Sequence, residues 1–189
     1  MKNRFIVAAL LLVVTSPVLA QAPKRPMAKV PVIELFGGFS YARFSAGGPT
    51  MNGYGGLGSF AWNFKPWVQV VADASYNRAH ATGSSTNLYG NHYGFRFFHR
   101  SSQKWGPTPF AEALFGGSQA ATRVGGSGGP LFSNTGFSMK GGGGLDLGVS
   151  SRITIRVTDA AYFRTSFFSA HQNNIWLSSG IVFRLGGVR

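Results

Sequence analysis

From Val32 to its end, the chain alternates apolar and polar side chains with a period of two. This period is typical of β-strands, because successive side chains of a strand point to opposite faces of the sheet. Eight segments carry the pattern, each of about 10 to 14 residues, which suits a tilted strand that crosses a membrane. They are Val32–Arg43, Gly53–Phe64, Trp67–Arg78, Leu88–Arg100, Pro109–Ala121, Gly136–Val149, Ile153–Thr165 and Asn173–Leu185.

The connections between these segments alternate in length. Three are short (Lys65-Pro66, Ser101–Thr108 and Ser150–Arg152), whereas the others are mostly longer, the longest being the Gly-rich Thr122–Thr135. Short turns at one end and longer loops at the other are typical of bacterial outer-membrane barrels. The sequence therefore predicts an all-β fold over residues 32–189. We expect an eight-stranded antiparallel up-and-down transmembrane β-barrel with both termini in the periplasm.

The acidic residues indicate which face of the strands is the interior. All five carboxylates of the chain fall within predicted strands, whereas a soluble barrel would place them on its wet outer surface. A charge that faces lipid at mid-depth costs about 2–4 kcal/mol for Arg or Lys, so charges of the polar face should pair inside the lumen. We expect the lumen network to comprise Glu34, Asp73, Glu112, Asp146, Arg96, Lys140, Arg156 and Arg184. Asp159 breaks the alternation set by Arg156, which predicts a β-bulge between them.

The start of the chain predicts an export signal. A basic first segment precedes the unbroken apolar run Phe5–Val14, and Val18-Leu19-Ala20 supplies the small residues of a cleavage site. These are the three regions of a secretory signal peptide, so we expect residues 1–20 to be removed by cleavage after Ala20. Residues 21–31 contain three prolines and three cations, and we expect them to form an extended periplasmic tail.

Composition narrows the function classes. The 189 residues contain 18 Lys and Arg against 5 Asp and Glu, and two of the cations leave with the signal peptide, so the remaining net charge is +11. The absence of Cys excludes disulfide frameworks and thiolate metal sites. A basic chain rich in Gly and aromatic residues could bind nucleic acid. Export from the cytoplasm argues against that partner.

A pattern in the last strand carries a family resemblance. Ser178-x-Gly180-x-x-Phe183-x-Leu185 is similar to the C-terminal β-signal that outer-membrane barrels present to their assembly machinery. Leu185 stands in place of the usual terminal Phe, and four residues follow it. Further matching stretches are ELFGGFSYAR (34–43), TPFAEALFGG (108–117), GGGLDLGVSSRITIR (142–156) and QNNIWLSSGIVFRL (172–185). The chain thus resembles the small OmpA-like eight-stranded outer-membrane β-barrel proteins. The resemblance implies an outer-membrane barrel without a peptidoglycan-binding domain.

Both predicted rims carry residues that suit a membrane boundary. Each outward-running strand ends in an arginine, and aromatic residues accompany these arginines. Since Arg offers paired N–H groups to phosphate, we expect this ring of arginines to contact outer-membrane lipid and lipopolysaccharide. The alternative is that the arginine side chains only extend into solvent. The arginines are Arg43, Arg78, Arg123 and Arg164, with Tyr41, Phe44, Tyr76 and Phe163 beside them. At the inner rim, Trp62, Phe64 and Trp67 predict an aromatic girdle.

Three functions are compatible with these features of the sequence. The leading interpretation is a structural protein that stabilises the envelope and displays outer loops for contact or adhesion, with no enzymatic activity, cofactor or metal. The alternative is a narrow or gated porin-like channel, although Phe36 and Trp176 should fill much of so small a lumen. A lipid A-modifying enzyme is the third, and it needs Ser, His and a carboxylate together. Its candidates, His99-Arg100-Ser101 and Ser169-Ala170-His171, have no carboxylate nearby, and His80 and His92 are isolated in the sequence.

Overall fold

A computed structural model describes residues 31–44, 50–81, 83–100, 106–125, 129–167 and 170–186. The predicted signal peptide, its cleavage site and nearly all of the predicted tail lie outside these residues. The strands are β1 (Ile33–Phe44), β2 (Met51–Lys65), β3 (Val68–Ala81), β4 (Ser84–Phe98), β5 (Pro107–Val124), β6 (Leu131–Gly148), β7 (Ile153–Phe167) and β8 (Ala170–Leu185). Each strand pairs antiparallel with its neighbours in sequence, and β1 pairs with β8, so the barrel is closed. This confirms the predicted fold. In the described part of the chain, no helix is long and apolar enough to cross a membrane.

The paired residues spiral round the barrel. Leu185 of β8 pairs with Ile33 of β1. Following the paired residues from each strand to the next, once round the barrel, leads back to β8 at Ile175, which is ten residues before Leu185. Such a stagger requires strands tilted by about 35–45° from the barrel axis. We call the end at Ile33 and Leu185 the terminal end and the opposite end the hairpin end.

The exterior of the barrel is apolar. On β8, the outward side chains of Ile175, Leu177, Ile181 and Phe183 are all exposed. Trp67 directly precedes β3, and Tyr76 lies nine residues after it on that strand. At a rise of about 3.3 Å per residue and a tilt of about 40°, that separation spans about 23 Å along the barrel axis. This height matches the apolar band of about 25 Å that outer-membrane barrels present to lipid.

The strands extend further at the hairpin end than the alternation predicts. β4 begins at Ser84 rather than Leu88, and Arg123 pairs with Leu131, so most of the expected Thr122–Thr135 loop is paired strand. The prediction of longer connections at this end was therefore wrong, since the longest one, residues 99–106, lies at the terminal end. Beyond the apolar band both faces of a strand can be polar, so pairing continues there without the alternation by which strands are recognised.

The predicted β-bulge in β7 is confirmed. Arg156 pairs with Gly180 and Asp159 pairs with Ser178, so three steps along β7 match two along β8 and β7 contains one extra residue. Val157 and Thr158 consequently both face outward, and the Asp159 side chain returns to the interior. The bulge thus keeps both Arg156 and Asp159 away from lipid.

Candidate functional site

The interior of the barrel contains all five carboxylates of the chain, each buried. Four of them form ion pairs with the four cations expected in the lumen. The pairs are Arg96–Glu112 at 2.6 Å, Lys140–Asp73 at 2.7 Å, Arg156–Asp146 at 2.9 Å and Arg184–Glu34 at 3.9 Å. The fifth carboxylate, Asp159, accepts a hydrogen bond from the Ser178 hydroxyl at 3.3 Å. Burial of so many charges requires this pairing, because an isolated charge in a low-dielectric interior is very costly.

Arg156 forms the centre of the packed lumen. Its guanidinium donates two parallel hydrogen bonds to Asp146, from Nε to Oδ1 at 2.9 Å and from Nη2 to Oδ2 at 3.1 Å. Its guanidinium carbon lies 4.8 Å from the centroid of the Phe36 ring and 4.5 Å from that of the Phe110 ring. Arg156, Asp146 and these two rings therefore occupy the interior together.

Arg100 covers the terminal end of the lumen, a role that the sequence did not indicate. It follows β4 and donates hydrogen bonds to the Pro66 carbonyl and the Asn63 side chain, both at 2.8 Å. It also lies 3.4 Å from Glu34 and stacks on Phe98 at 4.3 Å. Burial lowers the pKa of the Arg100 guanidinium and Glu34 opposes that shift, yet an arginine stays protonated in proteins. The Ser101 of the proposed His99-Arg100-Ser101 site lies outside the described residues.

His92 is not isolated, contrary to the prediction. Its Nδ1 lies 3.0 Å from Asp73 Oδ1, and its Nε2 lies 2.8 Å from Ser138 Oγ. The order Asp–His–Ser is that of a hydrolase triad. However, His92 and Ser138 are completely buried, and Asp73 is also held by Lys140. Among the described residues, no three His, Asp or Glu side chains form a group that could hold a metal ion.

An apolar cluster closes the lumen toward the hairpin end. It consists of Ala42, Phe44, Ala79, Leu88, Ala120, Ala161, Phe163 and Trp176. Phe44 and Phe163 were expected on the outer rim, but both are 1% exposed and point inward. Alternation already indicated this, because alternate residues of a strand share a face. Phe44 lies an even number of residues from the inward-facing Glu34, and Phe163 lies an even number from Asp159, after the bulge. The Phe163 ring packs edge-on against His92 and Trp176.

The exterior of the hairpin end carries one arrangement of residues three times. Tyr-x-Arg is followed by Asn at the same spacing, eleven residues after the Tyr, in three hairpins. In each, Arg and Asn are direct partners on adjacent strands, and the Tyr hydroxyl donates to the Asn side-chain oxygen. We call these the Tyr–Arg–Asn units: Tyr41/Arg43/Asn52, Tyr76/Arg78/Asn87 and Tyr162/Arg164/Asn173. The regular spacing was available in the sequence and was missed.

The units present mainly N–H donors to the outside. The Tyr–Asn hydrogen bonds measure 2.8 Å in the first unit and 3.1 Å in the second. Because the Asn oxygen receives the Tyr hydroxyl, the amide nitrogen and the guanidinium are the groups left facing outward. No carboxylate competes for them, since all five lie in the lumen. Outward residues on the membrane side of Tyr41 are apolar or small, namely Phe39, Gly37 and Leu35. The donors therefore follow the edge of the apolar band.

Arg123 occupies a different position from the other three rim arginines. Arg78 pairs with Asn87, Asn87 pairs with Ala121, and Arg123 lies two residues beyond Ala121. At about 3.3 Å per residue, Arg123 lies roughly 6–7 Å further along its strand, away from the apolar band. It belongs to the tall β5–β6 hairpin, which carries no Tyr–Arg–Asn unit.

The residues of the proposed β-signal are divided between the two faces of β8. Ser178 is buried, whereas Phe183 and Leu185 are exposed on the outside. Gly180 pairs with Gly38 of β1, and a Cβ at Gly180 would overlap the Gly37 carbonyl oxygen. Both edges of β8 are paired in the closed barrel, so its backbone is available for recognition only before closure.

Comparison with known proteins identifies solved structures of the same architecture. Neisserial surface protein A (NspA) has a TM-score of 0.66 and 14% identity, covering 81% of this chain and 97% of that one. Ail of Yersinia pestis, in complex with the heparin analogue sucrose octasulfate, has a TM-score of 0.55 and 16% identity, covering 80% and 97%. The N-terminal β-barrel domain of Pseudomonas aeruginosa OprF has a TM-score of 0.50 and 16% identity, covering 81% and 98%.

The fold is that of a small eight-stranded outer-membrane β-barrel. The similarity spans the whole barrel, because nearly the full length of each of those chains is covered. No protein-family model and no curated protein sequence matches the chain.

Proposed function

We propose that the protein resides in the outer membrane and stabilises the envelope by binding the phosphate groups of lipopolysaccharide. The observation that carries the proposal is the threefold Tyr–Arg–Asn unit at the edge of the apolar band. Lipopolysaccharide presents its phosphates at that depth of the outer leaflet. The Arg fork matches phosphate with two parallel hydrogen bonds, and the neighbouring Asn amide adds a donor.

The orientation belongs to the same proposal. We propose that the terminal end faces the periplasm and the hairpin end faces the exterior. The predicted cleavage after Ala20 would leave the tail of residues 21–31 on the periplasmic side. The β-signal at Ser178, Gly180, Phe183 and Leu185 would be read there by the barrel-assembly machinery during insertion.

The distribution of charge supports a lipid-binding role. In the lumen, five carboxylates are matched by five cations: Arg96, Arg100, Lys140, Arg156 and Arg184. Acidic and basic residues are therefore equal in number in the interior, whereas the described exterior carries cations and no carboxylate. An anionic leaflet would attract and screen that surplus.

Thermal unfolding in proteoliposomes tests the proposal. The chain would be refolded in phosphatidylcholine vesicles with and without rough lipopolysaccharide, and the midpoint of unfolding compared. We expect lipopolysaccharide to raise the midpoint of the wild type, because a ligand that binds only the folded state stabilises it. The triple variant Arg43→Gln, Arg78→Gln, Arg164→Gln should lose most of that rise.

A charge-matched control separates the units from net charge. The variant Lys65→Gln, Lys104→Gln, Arg152→Gln removes three cations other than the four rim arginines and should keep the rise in midpoint. An equal rise in the wild type and both triple variants would overturn the proposal.

A second candidate function is surface contact or adhesion through the hairpin end. The observation in its favour is the surplus of exposed cations there, together with the likeness to Ail, whose structure was solved with a heparin analogue. A narrow channel and lipid A modification are less well supported. The ion pairs and the contacts of Arg156 with Phe36 and Phe110 occupy the lumen, and Ser138 is completely buried. We therefore propose a non-enzymatic role.

A further inference from the structure

A cleft of about 410 Å³ opens at the hairpin end, between the start of β2 and the end of β3. Its lining residues are Thr50, Met51, Asn52, Tyr54, Arg78, His80 and Ala81. We propose that this cleft binds a phosphorylated sugar, with phosphate on Arg78 and His80 and the sugar ring against Tyr54. This inference rests on the proposed function and deepens it, because it gives one rim arginine a defined ligand.

The register of the sheet brings two units together in this cleft. Tyr54 is the direct partner of Arg78 across the β2–β3 pair. Cβ atoms of such partners lie about 4.5–5.5 Å apart. Asn52 belongs to the first unit and Arg78 to the second, so their donors converge on one space. His80 follows Arg78 on the same outward face of β3, since alternate residues of a strand share a face.

The Tyr54 ring is a fixed apolar platform. It is 57% exposed, yet it stacks on Phe39 with centroids 6.2 Å apart and contacts Tyr41 at 5.4 Å. Met51 also touches the cleft, but its side chain packs against the interior apolar cluster, so Tyr54 supplies the outward apolar surface. An apolar surface with a few convergent polar groups is the usual composition of a small-molecule site. The C–H face of a sugar ring suits the aromatic surface, and its hydroxyl groups suit Asn52 and Thr50.

The charges select a phosphate. Arg78 and the His80 imidazole offer N–H donors, and every carboxylate of the chain lies in the lumen. A phosphate accepts two parallel bonds from a guanidinium and has a third oxygen for a neighbouring donor. A neutral sugar would leave this charge unmatched.

The other two units lack the aromatic half of the site. Each of the three arginines pairs with the Asn of its own unit on one side and with a residue of the other neighbouring strand on the other side. That second residue is Tyr54 for Arg78, Ile175 for Arg43 and Met139 for Arg164. Arg164 therefore provides a matched control within the same chain.

Titration of the refolded, signal-free protein with soluble probes tests the site. Amide chemical shifts would be followed in lauryldimethylamine oxide micelles with glucose 6-phosphate, glucose and inorganic phosphate. We expect glucose 6-phosphate to shift cleft residues at saturation and to bind about tenfold more tightly than inorganic phosphate, because the ring adds contacts. Arg78→Gln and Tyr54→Leu should each weaken it by about tenfold, and Arg164→Gln should not. Equal binding by all variants, or no binding by the wild type, would overturn the inference.

A second arm identifies the source of the phosphorylated sugar. Retention of rough lipopolysaccharide would be measured in phosphatidylcholine nanodiscs for Arg78→Gln and Arg164→Gln. A larger loss for Arg78→Gln supports a lipid headgroup in the cleft. Equal losses without binding of glucose 6-phosphate would overturn the cleft while the proposed function stands. Binding of glucose 6-phosphate without any effect on lipid retention would support the cleft with a soluble glycan and contradict the proposed function.

Discussion

The lumen and the hairpin-end exterior use the same cationic side chains in opposite ways. In the lumen, three carboxylate–cation pairs are fully buried, and Arg156 contacts both Asp146 and two aromatic rings. At the hairpin end, Arg43 and Arg78 are exposed and have Tyr and Asn neighbours instead of carboxylates. The difference teaches that the position of the few acids, rather than the number of bases, decides which cations can bind a ligand.

Breaking a lumen pair should have the largest effect. Asp146→Asn leaves the buried Arg156 without its counter-charge, and loss of one partner of a buried pair costs about 3–5 kcal/mol. Urea unfolding in phosphatidylcholine vesicles measures the change. The double variant Asp146→Leu, Arg156→Met should recover much of the loss, because it removes both charges. A cost below about 1 kcal/mol for Asp146→Asn would show that this pair does not hold the lumen together.

Two adjacent glycines test how tightly the lumen is packed. A Cβ at Gly142 would overlap the Ala160 carbonyl oxygen, whereas a Cβ at Gly141 meets nothing within 4 Å. Gly142→Ala should destabilise the barrel by about 1–3 kcal/mol, the usual cost of overpacking. Gly141→Ala should change little. The shift in gel migration between unboiled and boiled samples reports the folded fraction, and equal behaviour of the two variants would contradict a packed interior.

Much of the barrel could be predicted from alternation alone. Period two identifies every strand, and the strand parity of the carboxylates separates lumen from exterior. Even the β7 bulge follows from the positions of Arg156 and Asp159. This succeeds because lipid outside and close packing inside impose opposite demands on alternate residues.

The remaining features depend on register and on the ends of strands. His92 contacts Asp73 because the two residues are direct partners across β3 and β4. Alternation shows which face of a strand a residue occupies, but not which residue of the neighbouring strand lies opposite it. Arg100 lies past the end of β4, where alternation no longer applies. Phe44 and Phe163 were assigned by residue type rather than by parity, and that choice placed them on the wrong face.

The smallest expected effect concerns the hydrogen bond within one unit. Tyr76→Phe removes the hydroxyl that donates to Asn87, and a net hydrogen bond contributes about 0.5–1.5 kcal/mol. Unfolding stability in lipopolysaccharide-containing vesicles should fall by that amount. Tyr93→Phe, at another exposed tyrosine, serves as the control. Equal changes in the two variants would mean that the Tyr–Asn bond does not organise the unit.

Native mass spectrometry tests the central claim most directly, because it counts the lipopolysaccharide molecules that stay bound. The wild type would be compared with the triple variant Arg43→Gln, Arg78→Gln, Arg164→Gln, each released from micelles under identical conditions. We predict that the wild type retains lipopolysaccharide and that the triple variant loses most of it. The control Lys65→Gln, Lys104→Gln, Arg152→Gln should retain it as the wild type does. Equal retention by all three proteins would contradict the account.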